Sequence, residues 1–353
     1  MTAGLAQQPK KRGAEAPQCE ATEALFHLDR RREQAKELSS AHEDFGMQDA
    51  DRIGPSASKR RSPQDDNSSE RFVGEGVDEC WMDFDGARMR YLRAGSGLPI
   101  ILLHGLMGYS FSWRYTIPAL APLRTCYAPD MLGAGFSDRP KMDHSMRATA
   151  LRVLKFAEKL GLDSFDLLGT SRGGAVAMCA AAESLERRAP QIRSLILVAP
   201  VNPYSAHGRR LAPLCGSPLG SMLARAVLEQ FPSMYPYWHG RMFADHSKIP
   251  AGSLDGYKAP LAIPGLFEHA LSIVKTWSVD LRALEALLPR LGSIPTLLMW
   301  GTKDPAVYFS SMEPLARFFP NAEKVVFPGV GHLPYEECPE EFNRALIEFL
   351  KRD

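Results

Sequence analysis

Residues 165–175 read F-D-L-L-G-T-S-R-G-G-A and set Ser171 between Gly169 and Gly173. The apolar run Phe165, Leu167 and Leu168 predicts a buried strand, and the Ala- and Met-rich stretch Ala175 to Glu183 predicts a helix, so Ser171 falls on the turn between them. A chain that reverses from strand to helix in so few residues crowds its own backbone. Small residues two before and two after the turning position relieve that crowding, and Gly169 and Gly173 stand there. The geometry holds a serine hydroxyl clear of the sheet while the unpaired N–H groups of the new helix aim at the same point. That arrangement suits a nucleophile. G-x-S-x-G alone also occurs in glycine-tolerant turns, so its flanks and the rest of the chain must carry the reading.

Working outward, strand and helix alternate. Trp81 to Phe84 and Met89 to Ala94 predict a hairpin around Asp85-Gly86. Pro99 to Leu103 and Thr125 to Ala128 predict buried strands, Met146 to Leu160 a helix, and Ile192 to Val198, Ile294 to Trp300 and Lys324 to Phe327 further strands before a closing helix at Phe342 to Leu350. The order predicts an α/β fold, a mostly parallel twisted sheet with helices on both faces, in residues 75–200 and 294–353. Between them, residues 201–293 carry no strand signal. Leu211 to Phe231, Ser233 to Phe243 and Leu261 to Leu288 predict short helices that form an inserted cap over the carboxyl edge of the sheet, where ligands bind in open α/β folds.

Residues 1–74 are rich in charged and small polar residues with no sustained apolar period, and predict a disordered extension; Met47 is an alternative start. The basic clusters Lys10 to Arg12, Arg30 to Arg32 and Lys59 to Arg61 are interleaved with acidic residues. Over all 353 residues, 42 Lys and Arg face 41 Asp and Glu, so no global field argues for nucleic acid or an anionic membrane as partner. Six scattered cysteines lack metal-ligand spacing and read as reduced thiols. Neither a leader-like apolar segment nor a membrane span is evident, which predicts a soluble cytoplasmic protein.

Four motifs in this order resemble the α/β-hydrolase superfamily, in its capped serine-hydrolase (esterase-like) branch, over roughly three quarters of the chain. His104-Gly105-Leu106 after a buried strand is similar to the family's oxyanion loop; the resemblance implies that the backbone N–H groups of Leu106 and Arg172 hold the developing oxyanion. Ser171 matches the family's G-x-S-x-G serine, which implies the nucleophile. His332, in G-V-G-H-L-P after the last strand, is similar to the family's terminal histidine and implies the general base. Asp304, in W-G-T-K-D-P, resembles the acid loop that orients that histidine. The alternative acid position, one strand earlier, offers no carboxylate in Val198-Ala199-Pro200-Val201-Asn202. Asp130 to Gly135 resembles a loop that shapes the pocket wall, and is read as structural.

The implied reaction is two-step acyl transfer on a small-molecule substrate with no cofactor and no metal, a carboxylic ester being the first choice. Related epoxide hydrolases and haloalkane dehalogenases carry an aspartate where this chain has Ser171, which disfavours those activities. The cap tyrosines Tyr204, Tyr235, Tyr237 and Tyr257 are then pocket or core residues, and Trp238, Phe231, Phe243, Phe267 and Trp277 suggest a hydrophobic substrate group. Two alternatives remain: hydrolysis of a carbon–carbon bond in a vinylogous diketone, and a slowly hydrolysing receptor of the same fold. Arg172 departs from the apolar residue usual after the serine; its side chain either binds a substrate carboxylate or turns away, leaving only its amide in play.

Overall fold

Strands buried on both faces must be apolar on both, and the runs around Ser171 meet that condition. The computed structural model describes residues 74–205, 220, 222 and 231–352. In it, eight strands form one sheet: β1 (Asp78–Phe84), β2 (Ala87–Ala94), β3 (Leu98–Leu103), β4 (Arg124–Pro129), β5 (Ser164–Thr170), β6 (Gln191–Val198), β7 (Thr296–Gly301) and β8 (Glu323–Phe327). Their spatial order is β1-β2-β4-β3-β5-β6-β7-β8. β2 pairs antiparallel with β1 and β4, and every later pairing is parallel. The strand carrying the serine turn is therefore central. The hairpin closes at Asp85 (φ 54°) and Gly86 (φ 88°), the two positive-φ positions that a twist-compatible two-residue turn requires.

Side chains alternate between two apolar layers, as period-two strands dictate. Ile101, Leu103, Phe165, Leu167, Leu195, Leu197, Leu298 and Trp300 face one layer, covered by α2 (Met146–Lys159), α3 (Arg172–Ser184) and part of α6 (Leu266–Leu287). Ile100, Leu102, Leu168, Ile196, Val198, Leu297 and Met299 face the other, covered by α1 (Thr116–Leu120) and α9 (Pro339–Leu350). Shorter helices α4 (Phe231–Arg241), α5 (Ser253–Lys258), α7 (Met312–Ala316) and α8 (Pro334–Glu337) complete the described elements. No strand lies between β6 and β7 among the described residues; α4, α5 and α6 occupy the segment read as an insertion. The extension 1–74, except Gly74, and the helix expected over Leu211 to Phe231, apart from the positions named above, lie outside the described residues.

The helix after Ser171 begins at Arg172 itself, three residues earlier than its composition suggests, and takes Gly173 and Gly174 into its first turn. Both glycines are helical because the helix must press against neighbouring backbone. A Cβ on Gly173 would sit 2.5 Å from the carbonyl oxygens of Leu103 and His104, and one on Gly169 would sit 2.4 Å from the Gly173 oxygen. Propensity yields to packing here.

Phe156 of α2 is 1% exposed and meets the rings of Tyr91 and Tyr127 edge-on, with centroids 5.2 and 6.5 Å away. Replacing it with alanine removes that aromatic cluster's centre. Urea denaturation of Phe156→Ala should show a loss of roughly 3–5 kcal/mol, the range for a buried Phe truncated in a close-packed core.

Candidate active site

The carboxyl ends of parallel strands point their loops the same way, so residues distant in sequence converge there. β5 leads directly into Ser171, whose φ of 52° and ψ of −121° lie in a region that a non-glycine residue rarely adopts. The strain is over-determined: the Ser171 N–H donates to Val198 O at 3.0 Å, and its own carbonyl accepts from Gly174, Ala175 and Val201. The loop after β3 passes so close that a Cβ on Gly105 would lie 3.2 Å from the Ser171 Cβ. Neither the Leu106 N–H nor the Arg172 N–H has an acceptor among the described residues, so both donors expected at an oxyanion site stand unused beside the serine.

The loops after β7 and β8 bring the other two groups together. His332 Nδ1 donates to Asp304 Oδ2 at 2.7 Å, and both residues are at most 5% exposed. Asp304 Oδ1 accepts the N–H groups of Ala306 and Val307 at 2.8 Å each, which leaves Oδ2 for the imidazole. A carboxylate only accepts, so Nδ1 carries the proton and Nε2 presents a lone pair. Ser171 and His332 line one cavity of about 360 Å³, with Gly105 and Leu106 on its floor. Tyr235, Trp238, Tyr257 and Trp277 form part of its walls. Of the other aromatic residues expected there, Phe243 packs in the second core layer, Tyr204 stacks on Phe318, and Tyr237 is exposed. The Phe231 side chain lies outside the described residues.

The Arg172 side chain turns away from this cavity. Its Nη2 donates to the His144 carbonyl at 2.6 Å and to Thr149 Oγ1 at 3.3 Å, and burial draws its pKa down to about 10, still charged at neutral pH. His104 supports the loop after β3. Its Nε2 accepts from the Met131 N–H at 3.1 Å and its Nδ1 donates to the Gly105 carbonyl at 2.8 Å, and burial lowers its pKa, so the ring is a neutral brace. Asp130 is likewise a brace, accepting from the N–H groups of Ser110 and Phe136 and from Arg90. Among the described residues no group of three or more His, Cys, Asp or Glu is arranged to hold a metal, and no helix is long and apolar enough to cross a membrane.

Two carboxylates escaped the sequence reading. Glu337, five residues after His332, accepts the N–H groups of Gly331 at 2.8 Å and of Ala244 and Asp245 at 3.1 Å, tying the histidine loop to the end of α4. Glu336 accepts both Nη atoms of Arg114, at 2.9 and 2.8 Å. The signal was present: two adjacent carboxylates within an otherwise apolar stretch must have partners if that stretch is buried.

The Alpha/beta hydrolase family profile matches residues 100–345. Haloalkane dehalogenase 2 of Mycobacterium tuberculosis is 30% identical over 282 residues, 76% of this chain and 93% of that protein. Among solved structures, a bacterial membrane phospholipase A is 26% identical with a TM-score of 0.64, covering 78% of this chain and 86% of its own. A meta-cleavage product hydrolase variant is 25% identical with a TM-score of 0.61, over 78% and 98% of the two chains.

Removing the Glu337 carboxylate strands three N–H donors at once. Glu337→Ala should lose about 3 kcal/mol or more in urea denaturation, and Glu337→Gln, which keeps one acceptor oxygen, should lose less. Acid should also weaken the fold through His269, whose pKa is pushed down to about 2 by burial, with His144 and Arg172 adding repulsion. The unfolded chain then binds a proton below pH ~6.5 that the folded chain does not, so stability falls with falling pH at up to ~1.4 kcal/mol per unit. His269→Gln should show a correspondingly shallower decline between pH 6.5 and 5 when both proteins are titrated with urea.

Proposed function

Since the chain belongs to the alpha/beta hydrolase family, we propose that it is a serine hydrolase cleaving a carboxylic ester or related acyl substrate through an acyl-enzyme on Ser171. One observation carries this reading: the strained Ser171 shares a cavity with His332, whose Nδ1 is bonded to Asp304 at 2.7 Å and whose Nε2 is left as the base. Ser171 Oγ attacks the ester carbonyl carbon and gives its proton to His332 Nε2, while Asp304 balances the imidazolium. The oxyanion rests on the Leu106 and Arg172 N–H groups, which are fixed before reaction and need no reorganisation. Collapse expels the alcohol with the proton from His332. Water then attacks the acyl carbon, yields its proton to His332, and the acid departs as Ser171 regains that proton.

The same reading makes residues 201–293 a cap over the sheet core of 75–200 and 294–353, with helices α4 to α6 as its described part. We further infer a cytoplasmic location, which the free thiols Cys80, Cys126, Cys179 and Cys338 support.

Ester hydrolysis is supported by the likeness to a phospholipase A. The dehalogenase likeness is met by the nucleophile, for Ser171 cannot form the alkyl ester that an aspartate forms. A second reading, carbon–carbon hydrolysis, draws on the likeness to a meta-cleavage product hydrolase. Against it, no Lys or Arg lines the cavity among the described residues, and Arg172 is turned toward His144, so none of the described cations is placed to meet a carboxylate-bearing diketone.

A fluorophosphonate probe should label the wild type and leave Ser171→Ala unlabelled, with ester kcat lower by about 10⁴- to 10⁶-fold in the variant. Assay of p-nitrophenyl esters of graded chain length beside a ring-fission diketone should find turnover in the ester series. Equal labelling of both proteins, or turnover of the diketone alone, would overturn the ester reading.

A further inference from the structure

The cavity wall opposite the sheet loops is mostly aromatic, yet it carries one imidazole, His239 of α4, that the proposed mechanism does not use. This ring is 6% exposed, close to Tyr235, Phe243 and Tyr257. A buried polar chain fixes how it carries its proton. Glu336 accepts the paired bonds of Arg114 and a further bond from the Tyr257 hydroxyl, so its oxygens serve as acceptors. Ser253 Oγ lies 2.9 Å from Glu336 Oε2 and so donates its one proton there. With that proton committed, Ser253 Oγ accepts from His239 Nε2 across 3.0 Å. The proton of a neutral imidazole thus sits on Nε2, and burial, which lowers the His239 pKa, favours the neutral ring. Nδ1 is left as a lone-pair acceptor with no partner among the described residues, on a ring that lines the cavity.

We propose that His239 Nδ1 is a specificity-determining acceptor that selects substrates bearing an uncharged hydrogen-bond donor, a hydroxyl or amide N–H, away from the scissile bond. This deepens the ester-hydrolase reading and rests on it. Once a substrate fills the cavity and displaces its water, an acceptor left without a partner is costly; a substrate donor removes that cost, whereas a methyl ether of the same shape does not. A carboxylate is rejected as well, because its oxygens would face the Nδ1 lone pair and the Arg114 charge is already engaged by Glu336. Ser253 and Glu336 are positioning residues in this scheme. They hold the proton on the far nitrogen.

The test uses the full-length chain and two matched ester series: butyrate monoesters of 1,3-propanediol through 1,6-hexanediol against their terminal methyl ethers, and p-nitrophenyl 6-hydroxyhexanoate against its 6-methoxy analogue. The wild type should prefer the hydroxyl member in kcat/KM by about tenfold at one chain length or more. His239→Phe should bring that ratio close to one, and His239→Gln, which keeps an acceptor, should retain part of it. Ser253→Ala, which lets the imidazole proton move to Nδ1, should also lower the ratio. A wild-type ratio near one in both series, or a preference unchanged in His239→Phe and Ser253→Ala, would overturn the proposal. Absence of turnover for every ester, p-nitrophenyl butyrate included, is the separate failure of the ester reading. The proposal is then decided by affinity, read from quenching of Trp238 and Trp277 in the cavity wall. Tighter binding of 1,6-hexanediol monobutyrate than of its methyl ether, lost in His239→Phe, supports it, and equal binding overturns it.

Discussion

The structure depends on a backbone contact that no side chain makes: the first turn of the helix after Ser171 lies against the end of β3 with only hydrogen atoms between. Gly173 faces the Leu103 and His104 carbonyls, Gly169 faces Gly173, and a Cβ on Gly174 would lie 2.6 Å from the Pro200 side chain. Any side chain at these points would push the helix away from the sheet and let Ser171 relax from its strained φ. Because the same contact brings the loop at Gly105 against the serine, the Ser171 hydroxyl and the two free N–H groups are set by one packing event. The cost of strain is met by the apolar burial of α3, nearly all of whose residues are buried.

Around that contact, buried carboxylates organise loops that hydrophobic packing alone would leave loosely specified. Asp130 gathers the loops after β3 and β4, Glu337 joins the histidine loop to α4, and Glu336 joins Arg114 near β3 to α5 through Ser253 and Tyr257. Each is a polar group withdrawn from water, and each is tolerated because several donors converge on it. A buried ion pair adds little net stability. Its effect is directional, since it makes one loop arrangement satisfied and its neighbours not. The cavity inherits this precision: its aromatic walls give volume and apolar area, while a handful of oriented polar atoms decide what binds in it.

The sheet was legible because its strands are short apolar runs separated by turn-forming residues, and each of the eight observed strands overlaps a run the sequence marked, though β7 starts at Thr296, two residues inside the run from Ile294. Their ends were less so. β1 reaches back to Asp78 through polar residues whose pairing with β2 no hydrophobic pattern reveals, and α3 starts on glycines that propensity excludes from a helix. Ser171, Asp304 and His332 each announce themselves by a strand before and a glycine or proline within two residues. Glu336, Glu337, Arg114, Ser253 and His239 have no such local marker, because each takes its meaning from a partner far along the chain.

The sequence by itself determined the alternation of strand and helix, the family and the order of the candidate catalytic groups, since these follow from local periodicity and from steric demands within a few residues of each motif. Only the tertiary structure decided where the Arg172 guanidinium points, which nitrogen of His239 and His332 holds the proton, and which carboxylates brace the loops. Those choices depend on distances between segments up to more than two hundred residues apart, as between Arg114 and Glu336, and on which donors burial leaves within reach. A pattern along the chain does not encode such distances, and a packed fold fixes them all together.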